Sequence, residues 1–265
     1  MPDPLNLALV SLPGAAYLVG LHRLWANAGL RRVVRMGQAL AYLGGLSVVA
    51  LAVASPLDTM AGARLSMHMV QHVLLVGVAA PLIAVGAPLP TLLWALPDRG
   101  RRWLTPRWRR AANGSAGKGW ARWTAAALVL QVGALWAWHA PALYQAALAS
   151  EVLHALEHAS FILTGVVFWW TVAGARHRTT GGAAVLVVFL GTLPATALGA
   201  LMTLAGRPWY PAYARQSGAA LEDQQVAGVV MWGFGGLAAV VATVVVFAAW
   251  LAALDRSTPG DLVRS

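Results

Sequence analysis

Residues 61–85 read AGARLSMHMVQHVLLVGVAAPLIAV. A hydrocarbon core of about 30 Å needs about 20 apolar residues in a helix, and this run meets that length. It is continuously apolar, with no period-2 alternation of the kind a membrane β-barrel strand would carry. Yet it holds two histidines, His68 and His72, spaced i, i+4, which on a helix project from one face. Imidazole inside a span is costly to bury and is usually kept for a purpose.

Similar runs recur along the whole chain. Of 265 residues, 59% are apolar and only 11% charged, against roughly 25% charged in average soluble proteins. Seven runs fit a span: about Leu5 to Leu24, Met36 to Ala54, Ala61 to Val85, Trp123 to Trp138, Val152 to Ala173, Ala183 to Leu204 and Gln224 to Leu254. The fourth is short and the seventh is long enough to tilt. The fold expected is all-α: one polytopic membrane domain of seven transmembrane helices over residues 1–265. The first run lacks a basic n-region and a clear cleavage site, so it reads as a retained span and not a signal peptide. No internal repeat is legible.

Charge sets the expected orientation. With the N-terminus outside, sixteen of the nineteen basic residues fall in cytoplasmic segments, and only Arg64, Arg207 and Arg215 fall outside. This is the positive-inside pattern. The net charge of +10 therefore reads as a topology signal, with contact to anionic membrane lipid, and not as a nucleic-acid footprint. The basic loop, about residues 97–122, lacks regular structure signals, and Asn113-Gly114-Ser115-Ala116-Gly117 looks flexible.

In that topology His68 and His72 lie roughly 6–15 Å below the outer end of the third span, at 1.5 Å rise per residue. His139 ends the fourth span, after Trp136 and Trp138, which suit a membrane interface. His154 and His158, again i, i+4, open the fifth. Five of the seven histidines thus share one depth and one face, while His22 and His177 sit beside arginines near the other. A lone histidine in a span is more often an interhelical hydrogen bonder. Five at one level, on three helices, point to a shared metal site.

Other polar groups share that level. Asp58, Gln71, Glu157, Asp223 and Gln224 would form a polar surround or entry, with Met67 and Met231 as further candidates. Asp58 and Asp223 also suit helix caps. Glu157 could orient a histidine. The chain has no cysteine, so a thiolate site is excluded. A histidine site with optional methionine points to copper before zinc. Bis-histidine haem b, with one axial ligand from each of two facing helices, is the alternative, and with it a membrane oxidoreductase. A metal-free scaffold is a third reading. No nucleophile–base pair and no glycine-rich nucleotide motif is legible.

Five stretches together resemble a known family. Ser55-Pro56-Leu57-Asp58, Met67-His68-Met69-Val70-Gln71-His72, Trp138-His139-Ala140-Pro141-Ala142-Leu143-Tyr144, His154-Ala155-Leu156-Glu157-His158, and Asp223-Gln224-Gln225 through Met231-Trp232 look like the CtaG-type, multi-span cytochrome c oxidase assembly proteins. This is a different family from the single-span copper chaperone that shares the name. The resemblance runs from about Ser55 to Trp250; the first span and the basic loop add nothing to it. It implies a multi-pass protein of the bacterial plasma membrane that helps mature an aa-type oxidase, with a role in copper supply. Oxidase subunits are then the implied partners. A periplasmic copper donor docking on the outer loop, Gly206 to Leu221, is a further expectation.

Overall fold

The structure, a computed structural model, describes residues 4–29, 32–114, 119–174, 178–216 and 218–255. Among these the fold is helical and contains no strand. Twelve helices follow in chain order: α1 Pro4–Ala28, α2 Met36–Val53, α3 Pro56–Ala63, α4 Leu65–Val85, α5 Pro88–Ala95, α6 Asp98–Gly114, α7 Trp120–His139, α8 Pro141–Leu148, α9 Glu151–Gly174, α10 Arg178–Leu204, α11 Pro211–Gln216 and α12 Ala220–Asp255.

By length and apolarity, α1, α2, α4, α9, α10 and α12 can each cross a membrane. A seventh span is present if α7 and α8, bent by 74° at their junction, count as one. The bend lies where the short fourth run was expected to end. Ala140 takes an extended conformation before Pro141, as the residue preceding a proline prefers. The exposed faces stay apolar: the second half of α12, Gly235–Asp255, has no buried residue and presents Leu237, Val240, Val241, Val244 and Val245 outward. Such a surface needs lipid around it.

Helix α4 is central, packing on α2, α9 and α12. It begins later than the apolar run suggested. Arg64, at φ −137° and ψ 128°, breaks the helix, and Ala61–Ala63 belong to the short α3. Hydropathy cannot see this break because the run is apolar on both sides of it. Ser55 starts α3 by accepting the Leu57 N–H on its hydroxyl, with Pro56 in the first turn. A π-helical turn, Leu74–Ala79, begins two residues after His72, and a second, Val230–Phe234, interrupts α12 where it crosses α4. Such turns frequently mark functional sites.

The basic segment is more ordered than its composition implies. Residues 98–114 form α6, although Pro106 lies inside it. Arg101 pairs with Asp98 at 2.7 Å and stacks over Trp94, and Arg107 stacks over Trp103. These local pairs support a helix whose arginine density hides its periodicity. Residues 115–118, the centre of the stretch read as flexible, lie outside the described residues.

Candidate metal centre

The five histidines converge. His68 and His72 leave one face of α4 with ring centroids 4.5 Å apart, and His154 and His158 leave one face of α9 at 4.3 Å. Across the helix interface, His68 lies 5.2 Å from His154 and 5.9 Å from His158, and His72 lies 5.7 Å from His158. His139, the last residue of α7, joins at 5.3 Å from His72. Four of the rings are buried and His154 is half-buried. His22 is exposed near the end of α1. His177 lies outside the described residues.

Glu157 enters the same cluster. It is 0% exposed, with Oε1 3.4 Å from His72 Nε2 and Oε2 3.9 Å from His68 Nε2. Among the described residues these imidazoles are its ion-pair partners, and neither carboxylate oxygen accepts a hydrogen bond. His68 Nε2 and both ring nitrogens of His72 and of His158 are likewise buried without a hydrogen-bond partner. Burying an unsatisfied polar group costs about 1–3 kcal/mol, more when it is charged. Seven such atoms in one place suit a bound cation better than bare packing. Among the described residues two donor groups meet the geometry for one ion: His68, His154 and His158, and His68, His72 and Glu157, each with donor atoms within 4.8 Å of one another.

Hydrogen bonds around the cluster fix which nitrogen faces it. Tyr213 donates its hydroxyl proton to Ala61 O at 2.9 Å, so at 3.2 Å it accepts from His68 Nδ1–H. His68 Nε2 is then the lone-pair atom turned toward Glu157. His139 Nδ1 donates to Leu135 O at 2.7 Å, which leaves its Nε2 unprotonated as well. Orienting partners of this kind accompany most metal-binding histidines. Tyr210 donates to His139 O at 2.9 Å, and Tyr144 meets the Tyr213 hydroxyl at 3.4 Å. Burial pushes the Tyr210 and Tyr213 hydroxyls above the ordinary phenol range, so both stay protonated donors.

Sequence spacing did not reveal the tyrosines. Two of them sit on the connection between α10 and α12, and only the folded loop brings them over the histidines. Met69 was also missed: it is 0% exposed, with Sδ 3.4 Å from His139 Nε2. Its i, i+3 spacing to His72 was the available signal.

The remaining polar candidates brace the cluster's surroundings. Gln71 donates to Ala52 O at 2.7 Å and to Asp58 Oδ1 at 3.0 Å, tying α4 to the end of α2 and the start of α3. Gln224 accepts from Trp209 N at 2.6 Å and donates to Arg207 O at 3.2 Å, pinning the connection between α10 and α12. Met231 packs with Leu65, Met69 and Met202 beside the tyrosines. Met67 is half-buried and, one residue from His68, lies about 100° around the helix from it.

Asp223 caps a helix, but not its own. From the first turn of α12 it accepts Ser66 Oγ–H at 2.5 Å and Ser66 N–H at 3.3 Å, so it holds the start of α4. A Cβ-only side chain there leaves both Ser66 donors unmatched. Asp223→Ala is expected to cost about 1–2 kcal/mol and to lower Tm by about 2–6 °C. A thermal melt in detergent reads this directly, and an unchanged Tm would refute the bracing role.

A sequence model of the family described as cytochrome c oxidase caa3 assembly factor (Caa3_CtaG) matches residues 15–253. No curated protein sequence and no solved structure matches the chain.

Proposed function

The chain belongs to the cytochrome c oxidase caa3 assembly factor family, and on that premise we propose that it binds copper in its histidine cluster and supplies it during oxidase maturation. The observation that carries this reading is the convergence of five imidazoles, two of which, His68 and His72, face one buried carboxyl group that accepts no hydrogen bond. His68, His72, His139, His154 and His158 hold the ion, and Glu157 balances its charge in a setting where an unpaired charge is costly. Not all five bind at once; surplus imidazoles provide exchange partners, as delivery requires. The donor set of nitrogen, carboxylate and nearby thioether suits copper before zinc.

The imidazoles pack edge to face against one another. This favours a small ion over a haem macrocycle and a carrier over an oxidoreductase. The cluster lies at the outer face of a bacterial plasma membrane, with N-terminus out and C-terminus in, as the arginine distribution supports. An oxidase subunit or a copper donor docks on the loop Gly206 to Leu221, whose start Gln224 pins through Arg207 and Trp209.

Elemental analysis of the purified full chain, with an absorption spectrum of the same sample, tests the reading. One or more coppers per chain without a Soret band is the expected result. Haem iron would move the protein to redox chemistry. Absence of metal after copper loading would leave a scaffold.

A further inference from the structure

The contact between Met69 and His139 identifies more than packing. His139 Nδ1 gives its proton to Leu135 O, so His139 Nε2 presents a lone pair. The atom it meets at 3.4 Å is Met69 Sδ, a thioether with no proton to give. Two electron-pair donors therefore face each other with no hydrogen between them, deep in the bundle, where both residues are buried. Two donors on one ion have such a separation: bonds of about 2.0 Å to nitrogen and about 2.3 Å to sulfur, taken from zinc sites and set at a near-tetrahedral angle, place N and S about 3.5 Å apart. Van der Waals contact gives a similar distance, so the facing of two lone-pair atoms carries the assignment.

A third donor stands beside them. Met69 and His72 share a face of α4 at i, i+3, and the His72 ring lies 5.3 Å from that of His139 with neither nitrogen hydrogen-bonded. We propose that Met69, His139 and His72 form a soft station for monovalent copper, adjoining the harder group of His68, His154 and His158. Thioether sulfur is polarizable and favours Cu(I) over cupric copper and, lacking the charge of a thiolate, over zinc. His72 belongs to the soft station and also contacts His68 and His158, so a copper ion passes between the two groups by ligand exchange with no change of oxidation state. This inference rests on the copper reading above.

The test is X-ray absorption at the copper edge on the full chain in detergent, loaded anaerobically with one equivalent of Cu(I). The wild type is expected to show a sulfur scatterer at about 2.3 Å. Selenomethionine labelling should convert it to selenium, with no risk to folding. Met69→Leu keeps the apolar volume. It should remove the sulfur signal and weaken Cu(I) in a chelator competition by roughly tenfold or more, with zinc binding unchanged; Met231→Leu should alter neither. Copper bound by nitrogen and oxygen alone, or sulfur scattering that survives Met69→Leu, overturns the thioether station and leaves the copper reading standing. A wild type that takes up no copper overturns both.

Discussion

A purified His72→Ala/His158→Ala variant should retain its fold and lose its copper. The pairing of changes follows from the geometry. The group of His68, His154 and His158 loses a donor with His158, and the group of His68, His72 and Glu157 loses one with His72. A single change at either position leaves one group intact, so surplus imidazoles should mask it. His68 is common to both groups, and His68→Ala is the single change expected to cost most. Loss of two donors should weaken binding by roughly 100-fold or more, about 2.7 kcal/mol. Folding should survive because the ring nitrogens removed, on His72 and His158, make no hydrogen bond within the protein. Their removal ends a desolvation cost at the same time as it opens a cavity. Copper per chain by elemental analysis, beside a size-exclusion profile and a helical circular-dichroism spectrum, reads both halves. Stoichiometric copper in the folded double variant would rule out this cluster as the site.

The same variant separates what composition reveals from what folding adds. The spans were legible because a membrane leaves few solutions: apolar runs of about 20 residues must be helices. The five histidines were legible because i, i+4 pairs and a common depth survive in one dimension. The break at Arg64 was not legible, since it lies in one extended residue between α3 and α4 and the residues on both sides are apolar. The helix of residues 98–114 was obscured by its arginines, whose pairing with Asp98 and with tryptophan rings appears only in three dimensions. Tyr210 and Tyr213 reach the cluster through a loop, and loops carry no periodicity to read. Glu157 was recognisable as a polar group at the right level. Its place inside the cluster follows from its i+3 spacing to His154, a signal weaker than two identical residues.

Gly228→Val should be the most damaging change outside the cluster, because it forces apart α10 and α12, the two helices that flank the tyrosine-bearing connection. A Cβ at Gly228 would fall within 3.0 Å of Gly199 O, Thr203 N and Thr203 Oγ1. Two of these are backbone atoms, which cannot step aside as a flexible side chain can. The approach is mutual, since a Cβ at Gly199 would lie 2.9 Å from Gly228 O. Small residues at such crossings let membrane helices touch backbone to backbone, where packing is the main attraction between them. Separation of α10 from α12 would also displace Asp223 and Gln224, which lie five and four residues before Gly228 and hold Ser66, Trp209 and Arg207. Overpacking of this kind, with broken caps added, is expected to cost more than about 3 kcal/mol, a fall in Tm of about 6 °C or more. Gly236 supplies the control, because a Cβ there meets nothing within 4 Å. In a helix, Gly236→Ala should be neutral or stabilising by up to about 1 kcal/mol. Opposite shifts for the two glycines, measured by thermal melts in one detergent, would tie the stability of the fold to the close contact of α10 with α12. A wild-type Tm for Gly228→Val would show that α10 and α12 do not meet as closely as described, and the bracing of α4 by Asp223 would need another explanation.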